Sequence, residues 1–233
     1  MGSYFFGTGI LQTTIYCCLF LCLLFLLVSL IVRLLPRAKE GSFKFPQDPQ
    51  AISWLIRFSL QRFLYLPIWK PILMSFSFLR WSLFRSMGGE IKYNILTSVD
   101  AEIDDIYLMK IDEGCMLGSK VQMAGHFIEN KQLILAKTKI GKNVQILSGA
   151  IIGPGCTIGN NSKIGLESRL LPNVQIGENV SIRSWCHIHS GASIGSGSKI
   201  GSRVVITAGL RIPENTTIPS DMIVNSEYIQ QLT

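Results

Sequence analysis

From Ile140 to Val224 every sixth residue is a branched aliphatic: Ile140, Ile146, Ile152, Ile158, Ile164, Leu170, Ile176, Ile182, Ile188, Ile194, Ile200, Ile206, Ile212, Ile218 and Val224. Upstream, Ile134 and Ile128 fall in the same phase. An amphipathic helix repeats at 3.6 residues and a half-buried strand at 2, so neither explains a strict six. A fixed short period is the mark of a solenoid, and six is the hexapeptide period of a parallel β-helix. A sandwich of short strands is the competing architecture, but its loops vary in length and break the phase. The remaining positions of the hexad agree. One residue after the anchor stands Gly at Gly141, Gly153, Gly159, Gly165, Gly177, Gly195 and Gly201. Three after it stands Asn or Gly, as at Asn143, Gly149, Gly155, Asn161, Asn173, Asn179, Gly191, Gly197, Gly209 and Asn215. Asn and Gly tolerate a left-handed backbone, so the pattern predicts a corner in every hexad. Three hexads close one coil of a triangular prism, which stacks Ile134, Ile152, Leu170, Ile188, Ile206 and Val224 on one face at strand spacings of about 4.8 Å.

The front of the chain follows other patterns. Ile15 to Val32 is apolar apart from Ser29 and carries no charge. As a helix it is about 27 Å long, enough with its flanks to span a bilayer. The basic start and small-residue exit of a cleaved signal peptide are missing; a buried soluble helix is the alternative. Ala51 to Gly88 alternates aromatics (Trp54, Phe58, Phe63, Tyr65, Trp69, Phe76, Phe78, Trp81, Phe84) with Arg or Lys and contains no acid. This suits helices in the headgroup layer, broken at Pro67 to Pro71, or a hairpin re-entering the bilayer. Four regions follow: a transmembrane anchor and basic linker (1–50), basic aromatic membrane-associated helices (51–89), the β-helix (90–224) and a tail (225–233) too short to do much at the back of the column.

Charge sharpens this division. Of the net +7, nine Lys or Arg against Glu40 and Asp48 lie before Glu90, while the rest carries thirteen charges of each sign. A basic front and a neutral column point to an anionic lipid surface, and the column has no basic stripe for nucleic acid. Because the cations nearest the apolar run follow it, the β-helix is expected on the cytoplasmic side. The six cysteines have no metal spacing and suit a reducing compartment. Cys156 and Cys186 fall on inward small-residue positions and Cys115 is isolated. Cys17, Cys18 and Cys22 lie in the apolar run, where core packing is favoured over palmitoylation.

A shorter array, Ile111, Leu117 and Met123, runs in another phase, and the two meet at Met-Ala-Gly-His-Phe-Ile-Glu-Asn-Lys. A uniform wall offers no site, so an irregularity is where one is expected. His126 sits in the break, with Glu129 three residues on. This succession resembles hexapeptide-repeat acyltransferases, in which a histidine beside an irregular coil precedes a run of Ile-Gly hexads. More specifically it resembles the membrane-bound C-terminal region of ε-poly-lysine-synthetase-type nonribosomal peptide synthetases. The resemblance rests on Leu79-Arg80, Met87-Gly88-Gly89-Glu90-Ile91, His126-Phe127-Ile128-Glu129 and Ile140-Gly141-Lys142-Asn143-Val144, and covers roughly 51–171. The chain departs from the synthetases in having no adenylation or carrier segment. It departs from the acyltransferases in lacking a Gly-x-Pro-Ala element near Ile212 to Glu227.

The resemblance implies a left-handed β-helix, trimers with sites between subunits, and a thioester co-substrate (acyl-CoA or a carrier protein) with no bound cofactor. It makes His126 the general base and Glu129 the carboxylate that orients it or binds a substrate ammonium. Imidazole is suited to this because it ordinarily titrates near neutrality. Exposed backbone N–H groups of the irregular coil are the expected oxyanion donors. The leading expectation is a membrane-anchored transferase of acyl or aminoacyl groups to a hydroxyl or amine. The alternative is a non-catalytic membrane-docked scaffold or a detached part of a synthetase. His187 and His189 flank the inward Ile188 and raise a zinc carbonic anhydrase as a third reading. They share one strand without a third ligand or a carboxylate partner, so no metal is expected.

Overall fold

The protein is described by a computed structural model over residues 2–67 and 70–230; Trp69 of the aromatic segment lies outside the described residues. From Glu90 to Val224 the chain winds into a parallel solenoid of three sheets, each of seven short strands. Residues eighteen apart pair coil to coil, as in Ile140 with Ile158 and Ile146 with Ile164. Each anchor from Ile140 to Val224 is buried. The corners are left-handed: Asn143, Asn161, Asn173, Asn179 and Asn215 have φ of 55, 57, 61, 55 and 56°. The third edge of the prism takes this conformation with Glu167, Trp185, Arg203 and Asp221 at 54, 59, 57 and 66°. Such residues pay roughly 1–2 kcal/mol to be there, so repetition of the coil overrides local preference.

The position after each corner points inward, and its serines are hydrogen-bonded along the column. Ser162 Oγ donates to Gly177 O (2.8 Å), Ser168 Oγ to Arg183 O (2.9 Å) and Ser198 Oγ to Pro213 O (3.0 Å). Cys115 and Cys186 do the same through sulfur, to Gly141 O (2.9 Å) and Gly201 O (3.0 Å). Cys115 is therefore a coil residue like Cys156 and Cys186. Burial pushes the Cys156 thiol up to about 12, which makes it an inert packing group.

The register breaks twice. Ile103 pairs with Met123 twenty residues on, so this coil holds two extra residues beside a short 3₁₀ turn at Ile106–Leu108. Met109 pairs with Thr138, twenty-nine residues on. The surplus leaves the column as an antiparallel hairpin of His126–Glu129 and Gln132–Leu135, to which Gly41–Lys44 adds a third strand. Ile128 and Ile134 therefore belong to no coil. Ile128 is exposed, and Met123 and Ile103 take the place under Ile152 expected of Ile134.

Among the described residues, five α-helices complete the fold: α1 (Gly2–Leu34), α2 (Pro49–Leu64), α3 (Lys70–Ser75), α4 (Ser77–Ser86) and α5 (Ser226–Gln230). Over Leu11–Leu34, α1 is long and apolar enough to cross a membrane. Its C-terminal part packs inward, with Val28 and Val32 buried and Leu24 and Phe25 against the same core. Cys17, Cys18 and Cys22 are exposed on it, contrary to the expectation of core packing. Asp48 caps α2 by accepting from Gln50 N at 2.7 Å, and Pro49 opens the helix. One stripe of α2 (Ala51, Trp54, Arg57, Gln61) is buried, continued by Tyr65 at its C-cap, while Ile52, Leu55 and Ile56 on the other face are exposed. Leu73, Met74, Leu83 and Phe84 of α3 and α4 join Ile91, Ile103 and Ile106 in one core and cover the open front of the column. At the back, α5 seats Tyr228 against the last coil; the tail does more than its length promised.

Four of the nine cations of the front segment are engaged within the protein, where all were expected to be free for lipid headgroups. Arg57 is buried and donates to Val32 O (2.5 Å), Leu35 O (3.1 Å) and Met87 O (2.8 Å). Arg80 is buried too, donating to Met74 O and Ile95 O, both at 2.9 Å. Arg62 binds Asp104 at 2.8 Å, and Lys70 lies 3.8 Å from Glu102. Arg57 and Arg80 satisfy carbonyls left open by helix ends and loops.

Candidate active site

His126 opens the outer strand of the hairpin. Asn130 and Lys131, both left-handed at φ 48 and 60°, turn the chain as the two central residues of a primed turn. That fixes which residues face α2. Leu133 and Leu135 are buried against Trp54 in a small second core. The His126 ring rests on Trp54 (centroids 4.7 Å apart) and Phe58 (5.2 Å).

The carboxylate at His126 is Asp105, not Glu129. Asp105 Oδ2 lies 2.5 Å from His126 Nδ1. Asp105 is 1 % exposed and is also held by Trp54 Nε1 on Oδ1 (2.8 Å) and Gly125 N on Oδ2 (3.2 Å). An ionised carboxylate only accepts, and the indole and the amide only donate. The network therefore assigns a proton to Nδ1 and leaves the lone pair of a neutral imidazole on Nε2. Gly125 N is consumed here and is not a free oxyanion donor. Asp105 reaches this place because it adopts a left-handed backbone (φ 53°) at the start of the 3₁₀ turn, in the coil with two extra residues. The interruption of the sixfold beat between Ile103 and Ile111, which stand eight residues apart, was the available signal.

Glu129 sits at the turn end of the strand, opposite Gln132, and is exposed. Three strand residues separate it from His126 by about 10 Å and put it on the opposite face. The His-x-x-Glu spacing aligns two side chains on a helix, and here the segment is a strand. His187 is exposed on its strand and His189 follows it half-buried. Among the described residues no three His, Cys, Asp or Glu side chains come together as a metal site.

His126 lines a cleft of ≈ 350 Å³ with Arg62, Asp104, Phe127, Pro154 and Pro172 among its walls. Asp104 neighbours Asp105 in sequence but faces a different environment. Its Oδ2 accepts from Arg62 Nη2 at 2.8 Å, while Oδ1 is buried without a partner. Burial, opposed by Arg62, raises its carboxyl to about 6. A general base candidate, a buried orienting carboxylate and a titratable second carboxylate thus meet at one cleft. Together these groups are equipped for proton transfer to and from a bound nucleophile.

Residues 137–165 and 173–208 match the family model "Bacterial transferase hexapeptide (six repeats)". No curated protein sequence matches the chain. Among solved structures, the chain is similar to the acetyltransferase domain of PglB from Neisseria gonorrhoeae FA1090. The identity is 11 %, coverage is 64 % of this chain and 58 % of that one, and the TM-score is 0.39. The chain thus spans less than two thirds of that domain. A hexapeptide transferase family protein from Anaplasma phagocytophilum aligns at 16 % identity over 59 % of this chain and 84 % of that one, TM-score 0.44. The UDP-N-acetylglucosamine O-acyltransferase from Moraxella catarrhalis aligns at 14 % identity over 57 % and 65 %, TM-score 0.27.

Proposed function

We propose that the protein is a membrane-anchored acyltransferase that moves an acyl or aminoacyl group from a thioester to a hydroxyl or amine, with His126 as general base. The single observation that carries this reading is the buried Asp105 on His126 Nδ1, which leaves Nε2 as the basic nitrogen of a residue lining the cleft. The transferase hexapeptide repeat supports the reaction class. His126 Nε2 takes the proton of the acceptor as its oxygen or nitrogen bonds to the thioester carbonyl carbon. The tetrahedral intermediate then expels the thiolate, which receives that proton from the imidazolium. The C–S bond breaks, a C–O or C–N bond forms, and free thiol is released. Asp105 holds the tautomer and meets the transient positive charge, as an orienting carboxylate does.

The donor is acyl-CoA or a carrier-bound thioester; the latter is what a synthetase-derived function requires. The repeat fold favours a homotrimer. On this reading α1 anchors the protein in the bilayer, and the column lies on the side of Arg33, Arg37 and Lys39, the cytoplasmic side. Acetyl-CoA supplied with hydroxyl and amine acceptors, and free thiol followed spectroscopically, tests the reaction. His126→Ala is expected to lower kcat by about 10²- to 10⁴-fold with the fold intact. A variant as active as the wild type refutes the assignment of the base.

A further inference from the structure

We propose that Trp54 is a positioning residue for the His126–Asp105 pair, so that helix α2 sets the tautomer and aim of the imidazole. The proposal rests on the reading of His126 as the base and extends it to a side chain outside both the coil and the hairpin.

The division of contacts on Asp105 carries the argument. Its Oδ2 takes His126 Nδ1 and Gly125 N, and its Oδ1 takes Trp54 Nε1 at 2.8 Å. Trp54 is 3 % exposed and Asp105 1 %, so water does not replace the indole there. An indole N–H is a donor only and points in one direction once its ring is fixed. Here the ring is fixed by stacking on Phe58 (5.2 Å, 24° between planes) and by an edge contact with Phe45 (6.1 Å, 73°). An aromatic at helical spacing is ordinarily core, and Trp54 does pack. Its polar end, however, meets a buried carboxylate that in turn holds an imidazole. Removing that N–H strands Oδ1 as a buried acceptor without a partner. The carboxylate then gains by rotating about Cβ–Cγ toward any remaining donor, and Oδ2 no longer stays aligned with His126 Nδ1.

The test uses the full-length protein in detergent micelles, in four variants. Trp54→Phe removes the N–H and keeps a ring. Phe58→Leu loosens the stack that aims the indole and removes a ring contact with His126, while the N–H itself stays present. Asp105→Asn and the double variant Trp54→Phe, Asp105→Asn close a cycle. Nitrogen-15 histidine NMR reports which ring nitrogen is protonated, with the His126 signals identified by their loss in His126→Gln. Transfer from acetyl-CoA gives kcat and KM.

Trp54→Phe is expected to mix the His126 tautomers and to lower kcat roughly 10- to 100-fold, the scale of a small misplacement of a reacting group, with KM within about twofold. Phe58→Leu, which keeps the N–H, should shift the tautomer less than Trp54→Phe does, and Trp54→Phe should cost nothing further once Asp105 is Asn. A Trp54→Phe protein with wild-type tautomer and kcat overturns the proposal. So does a Trp54→Phe change that costs as much on Asp105→Asn as on the wild type, since packing alone then explains it. A wild type that transfers no acyl group defeats the reading of His126 as base, while the tautomer comparison still decides what Trp54 does.

Discussion

Asp104 and Asp105 are consecutive, yet their carboxylates end in opposite circumstances. The left-handed backbone of Asp105 turns its side chain into three donors. Asp104 keeps one cation on one oxygen and has nothing on the other. Its carboxyl is raised by burial from 3.8 to about 6, with Glu102 and Asp105 adding to the rise and Arg62 and His126 opposing it. The folded state therefore holds this proton more tightly than the unfolded chain. The stability it contributes is fully present below pH 3.8 and is lost as pH rises through about 6. Asp104→Asn, which has no charge to bury, should match the wild type near pH 4. By pH 8 it should be the more stable by on the order of 1–2 kcal/mol. Urea unfolding midpoints across that range decide the matter. A variant weaker at pH 8 means that the pair with Arg62 outweighs burial.

At the scale of elements, legibility follows from how many residues share a signal. The coil was readable because fifteen anchors repeat one slot, so an exception such as Trp185 in a corner costs the pattern nothing. The hairpin was hidden because Ile128 and Ile134 keep the sixfold phase by coincidence while Asn130-Lys131 is a weaker turn signal than Asn-Gly. His126 was found because it stands where two phases meet. Its partner was not, since Asp105 lies twenty-one residues upstream and only the three-dimensional stacking of coils brings them together. Trp54 read as a membrane aromatic because the inner stripe of α2 mixes Trp, Arg and Gln, which no hydropathy pattern separates from an interfacial helix. Arg57 on that stripe joins three elements, since its guanidinium serves carbonyls of α1, of the segment after it and of the turn after α4. Desolvation, aided by Arg37, lowers its pKa. Arg57→Met keeps the volume of the stem and strands three carbonyls, two of them in buried contacts. It should destabilise the protein by about 2–4 kcal/mol in denaturant unfolding. A loss under 0.5 kcal/mol, the ordinary range of a neutral surface change, contradicts the role of Arg57 as the clamp between α1 and α2.

For the whole molecule, the location of apolar surface matters more than the net charge. With Arg57, Lys70 and Arg80 engaged within the protein, Arg33, Arg37, Lys39, Lys44 and Arg85 are exposed at the front, as is the paired Arg62. Beside them lie the exposed Leu19, Leu23, Leu26 and Leu27 of α1, Ile52 and Ile56 of α2, and Phe76 and Phe78 near α4. Scattered single aliphatics are normal on a soluble protein, but an apolar helix joined by two further apolar faces is not. The bilayer reading predicts opposite consequences from solvent exposure for one substitution. Leu23 is 65 % exposed, so Leu23→Arg in water alters little and improves solubility. In the centre of a spanning helix the same arginine costs about 2.5–3.5 kcal/mol of insertion. Leu19→Arg, one helical turn away, should add to it. The single variant is therefore expected to weaken membrane association in liposome flotation, and the double variant to leave most of the protein in the soluble fraction. Leu19 and Leu23 touch no part of the buried core, so the column should keep its thermal transition in both. Full flotation of the double variant shows that α1 does not cross the bilayer, and the outer faces of α2 and α4 are then the apolar surface that holds the protein to lipid.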